Sequence, residues 1–219
     1  MRATPYSGQV AATGFATLSC GTPPTRLVLI GPAHYVPFRG IAAPTVDAFE
    51  TPLGPVPLDR DALQTIAGLP AVTFSDGPHA PEHALEVELP FLQRLLPSFA
   101  AVPLLVGEAQ PQEVAAVLDR LWGGPDTVLV ISSDLSHFDD YDSARRRDAA
   151  TAEMIERGDW ARIGPAHACG CLAIAGLLVE TTRRGLMAKR LSLCNSGDTA
   201  GSRDRVVGYG AWAFEEPSV

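Results

Sequence analysis

The chain has few cysteines and no long apolar run, and both shortages narrow its class. Its four cysteines, Cys20, Cys169, Cys171 and Cys194, show no C-x-x-C spacing and no disulfide-scaffold density, which points to a reducing, cytoplasmic setting. The longest apolar stretch, Ala168 to Val179, is closed by His167 and Glu180. It is too short to span a bilayer and reads as a buried helix. No signal-peptide core follows Met1-Arg2-Ala3-Thr4-Pro5-Tyr6. Positive charge is scarce: 17 basic against 25 acidic residues leave a formal charge of −8, whereas a nucleic-acid face needs clustered Lys and Arg. The one dense run, Arg145-Arg146-Arg147, is followed by Asp148 and reads as a solvated helix face. Repeats, low-complexity tracts and linkers are also missing. The 219 residues are most simply one domain, 1–219, able to bury roughly 70% of the unfolded surface.

Two apolar β-type runs, each followed by an imidazole, stand out. Leu27-Val28-Leu29-Ile30-Gly31 leads into Pro32-Ala33-His34, and Val128 to Ser133 leads into Asp134-Leu135-Ser136-His137. Continuous Val/Ile/Leu runs suit strands covered on both faces, as in parallel sheets. The carboxyl ends of such strands are where ligands gather in open α/β sheets.

The remaining elements alternate. A helix is expected over Ser7 to Cys20 with Ser7 as N-cap, then a strand over Arg26 to Gly31. The proline-rich segment Tyr35 to Asp59 reads as a hairpin, Thr45 to Glu50 against Val56 to Leu58, placed to wall the site. A short helix at Asp59 to Ala67 and a strand at Ala71 to Phe74 follow. Leu85, Leu89, Leu92 and Leu96 are spaced for a helix over Glu82 to Leu96, with Pro81 in its first turn and a kink at Pro90. Then come strand Val102 to Val106, helix Pro111 to Trp122, strand Thr127 to Ser133, and helices Asp142 to Arg157 and Ala168 to Arg184. Strands Ala188 to Asn195 and Arg205 to Phe214 close the chain. Such alternation is an α/β fold with a mixed sheet.

Asp134 and His137 form a D-x-x-H pair that shares one side if the chain turns helically. With His34 they make two histidines and a carboxylate, the facial set of non-haem Fe(II) centres. The alternative is a helix-capping Asp134 beside a surface His137. His83 and Glu86 form an H-x-x-E pair, read either as supporting residues that orient a ligand or as ordinary first-turn electrostatics. Cys169, at the start of the most apolar helix, suits a nucleophile or a metal ligand. Cys171 reads as a buried thiol and His79 as a loop residue; Cys20 and Cys194 have no chemical context.

Several ordered motifs together resemble the MEMO family (the AmmeMemoRadiSam system protein B type). They are Tyr6-Ser7-Gly8-Gln9-Val10-Ala11-Ala12, Gly31-Pro32-Ala33-His34, Glu82-His83-Ala84-Leu85-Glu86 with Leu89-Pro90, Ser132 to His137, Cys169-Gly170 and Val207-Gly208-Tyr209. That family is similar to the class III extradiol dioxygenases of the LigB type, which cleave catechol rings with non-haem iron. The resemblance implies a three-layer α/β/α sandwich with a mixed, mostly parallel central sheet. It implies metal ligation by His34 and Cys169 with Asp134 in the same pocket, Fe(II), copper or zinc as the metal, and His137 near the acid/base position. His83 and Glu86 would support them. It also implies a link to radical-SAM and AMMECR-type proteins, and to small-molecule or peptide ligands.

The chain departs from the family pattern at its start. Aligning Tyr6-Ser7-Gly8 places Met1 where the family has a Pro-His-Ala-Gly-Tyr turn with the first metal-ligating histidine. One expectation is that a strand and this turn lie upstream in the gene; the other is that both are lost and metal affinity is poor. Two main functions follow: a metal-dependent, dioxygenase-like redox enzyme, or a non-catalytic protein whose pocket binds a peptide or small anion. A weaker third reading makes Cys169 a nucleophile.

Overall fold

A computed structural model describes residues 4–19, 22–124 and 126–217; Met1 and Cys20 lie outside them. Helix α1 (Thr4–Ala16) begins three residues before Ser7, so Ser7 lies inside the helix and does not cap it. Strand β1 (Arg26–Pro32) is buried from its second residue on. β2 (Ile41–Ala43), β3 (Ala48–Phe49) and β4 (Val56–Pro57) follow, with β3 and β4 pairing as the expected hairpin. Asp59 caps α2 (Arg60–Ile66) by accepting from the Ala62 amide at 2.8 Å, and β5 (Val72–Phe74) comes next.

The largest departure from expectation lies over residues 82–96. The helix there, α3, covers only Leu89–Leu95, with Pro90 in its first turn. Proline is tolerated at that position and so starts the helix where a kink was expected. Residues 82–83 are irregular and 84–88 form turns in its place, because the Glu82 carboxylate takes up the amides of His83 and Ala84. His83 and Glu86 therefore do not share a helix face.

β6 (Ala100–Val106), α4 (Pro111–Leu121) and β7 (Thr127–Ile131) follow in the expected order. The chain after β7 does not turn helically; it extends into β8 (His137–Asp139). Asp140 caps α5 (Tyr141–Glu156). α6 (Cys171–Arg184) starts after Cys169 and ends on the left-handed Gly185. β9 (Met187–Asn195) and β10 (Val206–Glu215) close the fold.

Five strands form a central sheet in the order β5-β2-β6-β1-β7, and three form a second sheet, β8-β10-β9. Within the central sheet β1 runs parallel to β6 and β7, β2 is parallel to β5, and β2–β6 is the antiparallel pair. The result is the expected α/β fold with a mixed, mostly parallel central sheet. α4 packs on both α2 and α6, α1 packs on α3, and α5 lies on β9 and β10. A side chain at Gly176 of α6 would start 2.4 Å from Val114 Cβ of α4, so glycine sets how closely these helices cross. Among the described residues no helix is long and apolar enough to cross a membrane.

Candidate functional site

His34 extends from the end of β1, where the Ala33 amide still donates to Val106 of β6 at 3.1 Å. Beside it, Glu82 is nearly inaccessible to solvent. Its Oε2 accepts from the His34 amide at 2.6 Å. Its Oε1 takes the His34 Nδ1 proton at 3.0 Å and the amides of His83 and Ala84 at 2.8 and 3.0 Å. Burial pushes the Glu82 carboxyl up, but the donors from His34, His83 and Ala84 together hold it below the ordinary carboxylate value. An ionised carboxylate only accepts, so the His34 ring meets Glu82 with a proton on Nδ1. The His83 ring stacks on His34 with centroids 5.4 Å apart, and Tyr35 meets both rings edge-on.

The metal-type donor atoms of His34, Glu82 and His83 lie within 4.8 Å of one another, and among the described residues this is where such atoms cluster. Glu82 Oε1 already serves three donors, which makes Glu82 a residue that aims His34.

At the end of β7 the chain is held against the segment before α6. Ser133 Oγ accepts from the Gly170 amide at 2.8 Å, and Cys169 Sγ accepts from the Asp134 amide at 3.2 Å. A Cβ at Gly170 would lie 2.8 Å from Ser133 Cβ, so glycine permits this approach. Burial pushes the Cys169 thiol up. Asp134 Oδ2 lies 3.7 Å from His137 Nε2, and this carboxylate raises the His137 value against its partial burial. Phe138, next in line, is exposed and holds a left-handed φ of 63°, a conformation that costs a bulky residue of order 1–3 kcal/mol.

Glu88 completes this end. Ser132 Oγ lies 2.7 Å from the Ala84 carbonyl and 3.0 Å from Glu88 Oε1. The carbonyl can only accept, so the single Ser132 proton goes there and the bond to Glu88 needs a proton from Glu88 itself. Glu88 is thus a neutral acid, consistent with burial pushing its carboxyl up to about 7.

His34, His83, Glu88, Asp134, Cys169 and Tyr209 all line one cavity of about 650 Å³. Cys169 also borders a second cavity, of about 480 Å³, beside Phe38 and Gly107. His137 and Glu86 are not among the described residues lining the larger one. Glu86 is exposed.

Comparison with known proteins fits this arrangement. The sequence profile of the family described as "Memo-like protein" matches residues 3–213. A MEMO1 family protein of Aeropyrum pernix is 35% identical over 94% of this chain and 78% of its own length. Relatives of the same description from Saccharolobus solfataricus and Thermotoga petrophila are 30% and 31% identical, over 95% and 93% of this chain and 78% and 76% of their own lengths.

The chain belongs to the Memo-like family.

Two site residues of this Memo-like chain escaped sequence reasoning, Glu82 and Glu88. A signal for Glu88 existed. It falls one position before Leu89 and three after Leu85, an acid beside the apolar stripe of the expected helix. Glu82 has no such signal, because its partners His34 and Ala84 depend on the tertiary fold. The other candidates are ordinary: His79 Nε2 meets the Ala42 carbonyl at 3.1 Å, Cys171 is a buried thiol at the start of α6, and Cys194 sits half-buried in β9. The arginine run lies on α5, where Arg145 stacks on Tyr141 and Arg147 pairs with Asp139 at 3.2 Å.

Proposed function

We propose that this Memo-like chain is a metal-dependent redox enzyme of the extradiol-dioxygenase type, acting on a small substrate. His34, Asp134 and Cys169 would hold a transition metal, Fe(II) or, failing that, copper or zinc. The observation that carries this reading is the Glu82–His34 pair. A carboxylate that fixes the Nδ1–H tautomer and leaves Nε2 free is the arrangement metal-ligating histidines use. Imidazole, carboxylate and thiol donors suit these first-row metals. Bound there, iron or copper would supply Lewis-acid and one-electron chemistry, and zinc Lewis-acid chemistry alone.

The chain's own residues have separate tasks. With Nδ1 bonded to Glu82, Nε2 is the His34 atom that would ligate the metal. Cys169, held as a neutral thiol by burial, must give up its proton to ligate, so loading should strengthen as pH rises. His137, whose hold on its proton Asp134 strengthens, would act through Asp134, the member of the pair that lines the cavity. Neutral Glu88 gives its one proton to Ser132 and so brings no charge to the cavity wall. A raised thiol value runs against Cys169 as a metal-free nucleophile, and ionised Glu82 runs against an anion-binding pocket.

Anaerobic purification and titration with Fe(II), Cu and Zn salts tests this. One equivalent should bind the wild type, and His34→Ala and Cys169→Ala should lose it. Glu82→Gln should weaken binding by about 10–100-fold. Wild-type protein that takes up no metal, or alanine variants that bind as the wild type does, would overturn the proposal.

A further inference from the structure

Asp148 lies on α5, is 2% exposed and lines neither of the cavities described above. We propose that it is a positioning residue of the metal site, holding the segment 134–136 from outside the cavity so that Asp134 keeps facing into it. The inference rests on the metal-binding reading of the preceding subsection.

Beyond β7 the chain crosses to the second sheet without forming a helix, so its amides need partners one by one. The Asp134 amide donates to Cys169 Sγ at 3.2 Å, and the Leu135 amide to the Gly208 carbonyl at 2.9 Å. The Ser136 amide donates to Asp148 Oδ1 at 3.0 Å. The Ser136 carbonyl in turn accepts from the Gly208 amide at 2.8 Å. Sulfur is a weak acceptor, and Cys169 is itself a proposed ligand. The firm anchors of the segment are therefore Gly208 and Asp148.

β10 is shaped for this grip. A Cβ at Gly208 would lie 2.0 Å from Asp148 Oδ2 and 2.5 Å from its Cγ, so a side chain there would expel the carboxyl. Carboxyl, glycine and Ser136 amide form one joint that ties α5, β10 and the chain leading into β8.

Stability alone gives no reason for an acid at this position. Asp148 Oδ2 is buried with no hydrogen-bond partner among the described residues. A buried carboxyl left half-satisfied is costly, and an apolar side chain of similar volume would avoid that cost. Burial pushes the Asp148 carboxyl up, against the Ser136 bond that lowers it. What the acid does supply is an acceptor for an amide two residues beyond a proposed ligand. Outer partners of that kind govern where a ligand points.

The test sets Asp148→Ala and Asp148→Asn beside the wild type. Asparagine keeps an oxygen for the Ser136 amide and alanine does not. Asp148→Leu repeats the loss with the space filled, should the alanine chain fold poorly. In metal-free protein Asp148→Ala should speed exchange of the Ser136 amide by about tenfold or more, with the amides of β6 unchanged. Titrated with Fe(II) and Zn(II) salts, it should bind about 10–100-fold more weakly than the wild type. Asp148→Asn should restore both readings. A cycle with Asp134→Ala separates positioning from general weakening: acting through Asp134, Asp148→Ala costs nothing further once Asp134 is gone. Equal losses in the two backgrounds would overturn the proposal. So would Asp148→Ala that exchanges and binds as the wild type does, or Asp148→Asn as impaired as Asp148→Ala. Wild-type protein that binds no metal would bring down the reading beneath, and exchange at Ser136, which needs no metal, tells the two failures apart.

Discussion

β1 and β7 carry nearly the same apolar run, pair in parallel residue for residue, and end differently. Leu27, Val28, Leu29 and Ile30 are at most 1% exposed, whereas Val128, Leu129, Val130 and Ile131 are all partly exposed. Composition is nearly the same and the neighbours differ: β1 has β6 on its far side, and β7 has a cavity. A Val/Ile/Leu run thus reports the burial a strand is built for, and the surrounding elements decide how much of it is realised. The contrast continues at the strand ends, where Glu82 beside β1 is held ionised and Glu88 beside β7 is held neutral.

Matched truncations give the strongest test. Leu29→Ala should cost about 3–4 kcal/mol, as expected for a fully enclosed leucine, and Leu129→Ala about 1–2 kcal/mol, since part of its surface already faces the cavity. Urea unfolding of both variants reads the difference. Equal costs would break the comparison.

The two glutamates should then give opposite pH signatures. Glu88 keeps its proton to about pH 7 when folded but loses it near 4.5 when unfolded, so its contribution falls as pH rises through that window. Glu88→Gln preserves the bond to Ser132, since its amide still donates. It should leave the protein up to about 3 kcal/mol more stable than wild type at pH 8, with no difference at pH 4. Glu82 has the reverse sign. Its stabilisation is present above the unfolded value of 4.5 and is lost as pH falls through its lowered folded value. Glu82→Gln should therefore destabilise at pH 7 and converge on wild type in acid. Unfolding curves at three pH values would check both.

The smallest effect concerns His137. Asp134→Asn should lower its midpoint toward the ordinary 6.5, read by NMR titration of the ring protons. The pair's stabilisation is complete below 6.5 and fades as pH rises through the raised folded value. Because both side chains are about a third or more exposed, little change in overall stability should accompany the shift. An unmoved midpoint would mean that another group sets the His137 charge.

The central strands and the long helices were legible because burial leaves a periodic or continuous apolar signature. β1, β6, β7, α4 and α5 fall within two residues of where the apolar runs place them. β2 was not legible, since three residues between Gly40 and Pro44 carry no period to detect. Residues 82–88 misled for a specific reason. Their leucine spacing is real, but Glu82 captures the local amides and diverts the backbone from the helix. Of the site, His34, Asp134 and Cys169 were visible as residues after apolar runs or at a helix entrance. The positions of Glu82 and Glu88 depend on contacts between segments 48 and 44 residues apart.

The Glu82 carboxylate grips both the main chain and the ring of His34 while anchoring the turn at 83–84. Architecture and reactivity at this corner are therefore a single constraint. In a survey of inactive variants, replacements at Glu82 should register simultaneously as misplaced loops and as altered ligand affinity. Natural drift in either segment must carry the other with it.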